Sequence, residues 1–136
     1  MKYLICGGAG YIGAHLAKWL NSRGHDVVVL DNLSTGHRAA LRWGELVEVD
    51  IRDRRALFDA LGQRQFDGVV HMCARSQVGE SMELPYEYYE NNVGGTLNVL
   101  EWMRHTSNDR FVFSSTAAIF GNPQTPLIDE QRPQAA

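Results

Sequence analysis

The chain has little that could tie it together covalently or direct it to a membrane or nucleic acid. Its 136 residues include only two cysteines, Cys6 and Cys73. That excludes a disulfide framework, and the absence of a secretory leader pattern at the N-terminus predicts a reducing, cytoplasmic location. Positive charge is scarce, with 13 Lys plus Arg against 16 Asp plus Glu and a formal charge of -3. This excludes a strongly basic nucleic-acid surface and a polybasic membrane patch. The longest apolar runs, such as Val27-Val28-Val29-Leu30, are far too short to span a bilayer. Proline is also rare, and Pro123, Pro126 and Pro133 fall near the C-terminus, so residues 121–136 read as loop. What remains is a chain 44% hydrophobic. It fits one globular domain over 1–136, long enough to bury about two-thirds of its unfolded surface.

The apolar residues alternate between short runs and helical spacing. Tyr3-Leu4-Ile5-Cys6 reads as a buried strand. Residues 11–23 read as a helix whose buried face carries Ile12, Leu16, Trp19 and Leu20, with Gly24 as its stop. Asp26 to Leu30 is a second strand, ending at Asp31. Leu46 to Val49 is a third, and Asp53 can cap a helix carrying Leu57, Phe58 and Leu61 that stops at Gly62. Asp67 to Met72 is a fourth strand. A helix from about Pro85 to His105 places Val93, Leu97, Leu100 and Met103 on one face, and Arg110 to Ser114 is a fifth strand. This alternation predicts a Rossmann-like, doubly wound parallel sheet of order 3-2-1-4-5. Ligands of such sheets bind beyond the carboxyl ends of the strands.

The first strand runs into Gly7-Gly8-Ala9-Gly10-Tyr11-Ile12-Gly13, with glycines at 7, 10 and 13 and a G-x-G-x-x-G spacing at 8, 10 and 13. Its place between strand and helix gives the motif meaning. Glycine allows a tight turn and close approach of backbone to a pyrophosphate, while the helix start supplies unpaired N–H groups. Asp31 ends the second strand, where a carboxylate accepts the ribose hydroxyls of a dinucleotide and repels a 2′-phosphate. The pair predicts NAD rather than NADP. Arg38 is the nearby side chain that could accommodate the extra phosphate, and a turn cap is the plain alternative for Asp31.

Other strand ends are less specific. Asp50-Ile51 can border the adenine, or Asp50 can serve a turn. His71 and Cys73 are too few to make a metal site, and strand-end packing is the better reading. Gly94-Gly95 sits in a helical pattern, where each glycine costs about 1 kcal/mol relative to alanine; close packing or close approach of the cofactor would account for them. Cys6 and Cys73 end the adjacent first and fourth strands, so they are expected close together as free thiols.

Five stretches together carry a resemblance. They are Gly7 to Gly13, Asp31-Asn32-Leu33-Ser34-Thr35-Gly36-His37, Val78-Gly79-Glu80-Ser81, Tyr88-Tyr89-Glu90-Asn91-Asn92-Val93 and Phe113-Ser114-Ser115-Thr116. The chain resembles the N-terminal part of the UDP-glucose 4-epimerases, a branch of the extended short-chain dehydrogenase/reductase family. The glycine loop marks only the superfamily; the Asp-Asn-Leu-Ser and Val-Gly-Glu-Ser stretches point to the epimerases and their near relatives. The resemblance implies NAD contacts at Gly7, Gly10, Tyr11, Ile12, Gly13, Asp31, Asn32, Leu33, Ser34, Thr35, Gly36, Asp50, Ile51, Met72, Cys73, Ala74, Arg75, Ser76 and Asn91. It implies a catalytic Thr116 that hydrogen-bonds the substrate hydroxyl, with Ala117 and Ala118 beside the sugar. It further implies a UDP-hexose as partner, in an enzyme that oxidises C4, lets the keto sugar rotate and reduces the other face, and it is compatible with a homodimer.

The chain departs from the family at Ser76, where many members carry lysine, at Ala118, where many carry threonine, and at Cys6, which replaces a frequent threonine. A larger departure is the Tyr-x-x-x-Lys pair that supplies the family's base. The only lysines are Lys2 and Lys18, and neither follows a tyrosine at that spacing. The expectation is therefore a fragment or a truncated product lacking the later strands and sugar domain. A non-catalytic NAD-binding module is the competing reading. A sister dehydratase or decarboxylase is a third; dehydratases typically place acidic residues after the Thr116 position, where Ala117 and Ala118 stand.

Overall fold

The computed structural model describes residues 1–122, 127–131 and 133; half of the 121–136 tail, including Pro123 and Pro126, lies outside the described residues. Five parallel strands form one sheet in the order β3-β2-β1-β4-β5, as the alternation predicts. They are β1 (Lys2–Cys6), β2 (Asp26–Asp31), β3 (Glu45–Glu48), β4 (Gly68–His71) and β5 (Phe111–Phe113). In register, Cys6 lies opposite Leu30 on one side and His71 on the other. The carboxyl ends of the three central strands therefore finish side by side.

Side chains of β1 and β2 alternate between two cores, as period-2 geometry requires. Ile5, Val27 and Val29 meet Ala17 and Leu20 of helix α1 (Tyr11–Ser22). Leu4, Cys6, Val28 and Leu30 face α2 (Arg54–Leu61) and α5 (Thr96–Thr106) through Leu57, Leu61, Val99, Trp102 and Met103. Asp53 caps α2 by accepting the Ala56 N–H at 2.9 Å. Trp102 is fully buried, and its indole N–H donates to the Gly62 carbonyl at 2.9 Å.

Two helix faces differ from the sequence reading. In α1 the buried stripe is Gly13, Ala17 and Leu20, while Ile12 is 62% and Trp19 51% exposed. The glycine loop dictates this rotation. Gly13 must lie against the backbone of Gly7 and Gly8, so the small residues face inward. Trp19 instead stacks under the Arg23 guanidinium, 4.1 Å from its ring centre. The second case is the long helix expected over 85–105. It is α4 (Pro85–Tyr89), a π-helical turn (Glu90–Gly95) and α5. A π turn inserts an extra residue and shifts the phase of the helix beyond it. Val99, Trp102, Met103 and Thr106 are buried, and Val93, Leu97 and Leu100 of the predicted stripe face outward. A short helix α3 (Val78–Glu83) was not signalled by periodicity. β5 is an edge strand, with Val112 and Phe113 largely exposed.

A candidate dinucleotide site at the strand ends

The glycine loop closes directly on the top of β4. Gly7 has φ +85°, and its N–H donates to the Leu30 carbonyl at 2.8 Å. A Cβ on Gly7 would stand 2.5 Å from the Met72 carbonyl oxygen. A Cβ on Gly13 would stand 2.3 Å from the Gly7 oxygen and 2.6 Å from the Gly8 Cα. Those neighbours are backbone and cannot yield, so only glycine fits. Gly10, the N-cap of α1, offers no side-chain cap. The first N–H groups of the helix lack intrahelical partners and are available to an anion.

Asp31 is buried and ties two loops together. One oxygen accepts the Ala9 N–H of the glycine loop at 2.9 Å, the other the Leu33 N–H at 2.8 Å. The turn-cap reading and the ribose reading are therefore compatible: each oxygen keeps a second lone pair, and Asp31 borders the cleft. Arg38, the alternative 2′-phosphate partner, is paired with Glu48.

Asp50 is held by the Arg52 guanidinium, with Nη2 at 2.7 Å, and by the Asn32 side-chain amide at 2.9 Å. Hydrogen bonds from Arg52 hold its pKa down at about 2, against the opposing effect of partial burial. Asp50 itself stands behind the cleft wall, and it orients Arg52 and Asn32, which do line the cleft.

The segment after β4 is pinned from the π turn. Asn91 donates to the Cys73 carbonyl at 3.0 Å. Asn92 accepts the Arg75 N–H at 2.8 Å and donates to the Arg75 carbonyl at 2.9 Å. Arg75 pairs with Glu87 at 2.7 Å, and the Tyr88 hydroxyl donates to Glu80 at 2.6 Å. Burial, followed by the Glu80 carboxylate, raises the Tyr88 pKa. Gly95 lets Ile51 pack against the turn, since a Cβ there would lie 2.5 Å from the Ile51 Cδ1; open space surrounds the Cβ position of Gly94.

These walls enclose a cleft of about 250 Å³. It gathers thirteen of the residues named from the sequence: Gly7, Gly10, Asp31, Asn32, Ser34, Thr35, Ile51, Met72, Cys73, Ala74, Arg75, Ser76 and Asn91. Tyr11 and Ile12 are exposed at the helix start, Gly13 is buried beneath the loop, and Leu33, Gly36 and Asp50 sit outside the lining. Thr116, Ala117 and Ala118 are exposed and outside it as well. The Thr116 hydroxyl accepts the Ala118 N–H at 3.1 Å and caps a 3₁₀ turn (Ala117–Phe120). The sequence reading gave no role to Leu30, Val49, Arg52, Gln77, Glu80 or Tyr88, which also line the cleft. Glu80 and Tyr88 lie in quoted motifs, and Arg52 follows Asp50 by two, which were the available signals. Among the described residues, no three His, Cys, Asp or Glu side chains converge to hold a metal ion, and no helix is long and apolar enough to cross a membrane.

A glycine turn too tight for any Cβ, sealed by an acid at the end of the neighbouring strand, defines a dinucleotide-binding α/β domain. Comparison with known proteins narrows the class: the NAD dependent epimerase/dehydratase family matches residues 3–135, and the chain belongs to it. NAD is the cofactor of this family, and the cradle at Gly7 and Gly13 fits such a group. A UDP-glucose 4-epimerase of Streptomyces lividans is 50% identical over 133 residues, covering 94% of this chain and 40% of that protein. One from Klebsiella pneumoniae is 38% identical over 138 residues, covering 95% of this chain and 99% of that sequence. The crystal structure of UDP-glucose 4-epimerase from Brucella ovis in complex with NAD superposes with a TM-score of 0.88 at 44% identity, over 98% of this chain and 41% of that one. The chain thus spans about two-fifths of the length of most of these relatives.

Proposed function

We propose that this chain is the NAD-binding part of a UDP-glucose 4-epimerase, which interconverts UDP-glucose and UDP-galactose at C4. The observation that carries the cofactor half of this reading is Asp31, which holds the Ala9 N–H of the glycine loop while bordering the cleft. The sugar half is supported by similarity to relatives named UDP-glucose 4-epimerase. Bound NAD would supply a hydride acceptor and donor for C4. Asp31 would accept the adenosine ribose hydroxyls, the N–H groups at the start of α1 would hold the pyrophosphate, and residues 72–76 would line the rest of the site. Thr116 hydrogen-bonds the sugar hydroxyl, beside Ala117 and Ala118.

The 136-residue chain does not epimerise on its own in this reading. Removing hydride from C4 needs a base for the hydroxyl proton, and an unactivated threonine hydroxyl is a poor one. Tyr86, Tyr88 and Tyr89 have no lysine four positions on, and the Tyr88 proton is engaged by Glu80. The second reading is a non-catalytic NAD-binding module. Purified chain free of host epimerase decides the first point: no turnover of UDP-galactose is expected, and robust interconversion would overturn the assignment of the base. A longer chain carrying Tyr-x-x-x-Lys and a sugar domain separates the two readings. Turnover there, reduced about 100-fold or more by Thr116→Ala, supports the epimerase; none supports the module.

A further inference from the structure

Cys6 and Cys73 take no part in hydride or proton transfer at the sugar. Cys6 is fully buried at the end of β1; Cys73 follows β4, is half-buried and lines the cleft. Behind them His71 is fully buried. The Thr96 hydroxyl spends its only proton on the Asn92 carbonyl at 2.7 Å. Its oxygen, 3.0 Å from the His71 Nε2, must therefore accept from the ring. The His71 Nδ1 has no partner, so the ring proton sits on Nε2. That same N–H faces the Cys73 Sγ at 3.5 Å. Cys6 lies opposite His71 in the β1–β4 register, and Cys73, two residues on, packs against the core cluster that holds Cys6, with the imidazole N–H as the donor facing its sulfur. An anionic sulfur is the form such a donor favours.

We propose that Cys73 and Cys6 form a redox pair on the wall of the cleft, in which Cys73 is the attacking thiolate and Cys6 the resolving thiol, with a hydroperoxide as oxidant. In the first step the Cys73 sulfur bonds to the outer peroxide oxygen as the O–O bond breaks. Sulfur loses two electrons, and the departing alkoxide or hydroxide takes a proton from solvent. In the second, Cys6 gives up its proton and attacks the Cys73 sulfenic acid. The S–S bond forms, the S–O bond breaks, and the hydroxide leaves with the Cys6 proton as water. The two thiols and one hydroperoxide give one disulfide, one alcohol (water, for hydrogen peroxide) and one further water.

The electrostatics agree with this division of roles. The Cys6 hydrogen bond and then His71 bring the Cys73 pKa down to about 6 despite burial, while the same contact and burial push Cys6 well above the ordinary range. The pair does not depend on the cofactor reading; shielding of Cys73 by bound NAD does, because Cys73 lines that cleft.

The test uses the 136-residue chain with dilute hydrogen peroxide and non-reducing peptide mapping. The expected product is an intrachain Cys6–Cys73 bond with loss of two hydrogens. Iodoacetamide should label Cys73 with a pH midpoint near 6. Cys6→Ser should stop the oxidation at a sulfenic acid that dimedone captures. Absence of the Cys6–Cys73 bond in the oxidised wild type, or a Cys73 labelling midpoint near the ordinary ~8.5, would overturn the proposal. Saturating NAD should slow the labelling. If cross-linking is intact but NAD gives no protection, the pair stands and the assignment of this cleft to NAD fails.

Discussion

The middle of the sheet and its β5 edge are packed differently. Around β1 and β2, backbone meets backbone: Gly13 lies on Gly7, Gly7 lies on Met72, and the Asp31 carboxylate is occupied on both oxygens by N–H groups of separate loops. Around β5, Val112 and Phe113 are largely exposed, and Thr116 caps its own short turn. The middle has no slack and forms a cleft, whereas β5 is the edge of the sheet in a chain that spans about two-fifths of its relatives' length. The proposed cofactor contacts fall in the first region, and the proposed sugar chemistry begins at the second. The glycine turn and Asp31 close on each other within β1 to β4, while the far wall of the cleft is held from beyond β4 by Asn91 and Asn92.

Substitutions should separate the two regions. The largest effect is expected at Gly13→Val. Its side chain meets backbone on two sides, so it should cost about 3 kcal/mol or more in urea unfolding and abolish NAD binding. A tolerant Gly13 would break the comparison. Next is Asp31→Ala, which strips a buried anion from the Ala9 and Leu33 N–H groups. Hydrogen bonds to charged groups are worth about 1.5–3 kcal/mol each. NAD affinity should fall roughly 10- to 100-fold by calorimetry, with the preference over NADP narrowed.

The wall behind the cleft should show acid sensitivity of intermediate size. Asp50 has a folded pKa of about 2, lowered from 3.8. A depressed carboxylate stabilises the fold fully above its unfolded pKa and loses that contribution as pH falls through the folded value. The contribution should therefore fade between roughly pH 4 and pH 2. Melting temperatures followed over that window should fall more steeply for wild type than for Asp50→Asn. Equal slopes would remove Asp50 from the account. The smallest effect is expected at Thr116→Ala in this chain. It should cost about 0.5–1 kcal/mol, as for the loss of an exposed cap, and leave NAD affinity unchanged.

Much of the first region was readable from sequence because its chemistry is local. Gly7, Gly10 and Gly13 fall between a strand and a helix, and Asp31 closes the next strand, so spacing alone brings them together. The parallel order followed from the alternation of elements. Helix phase was less readable. Hydrophobicity favours Ile12 and Trp19 for the buried side of α1, but the backbone approach at Gly13 outweighs it. The π turn at Glu90–Gly95 leaves no periodic mark, and it moved the face of α5 from Leu97 and Leu100 to Val99 and Trp102. Arg52 reaches the cleft through pairing with Asp50 two residues before it, and Tyr88 through Glu80 eight residues before it; hydrophobic periodicity encodes neither.

In the proposed site Asp31 sets the nucleotide preference. Calorimetric titration of the purified chain with NAD and, separately, NADP tests it most directly. Saturable NAD binding is expected, at least about tenfold tighter than NADP, a difference of about 1.4 kcal/mol. Equal or tighter binding of NADP would contradict it.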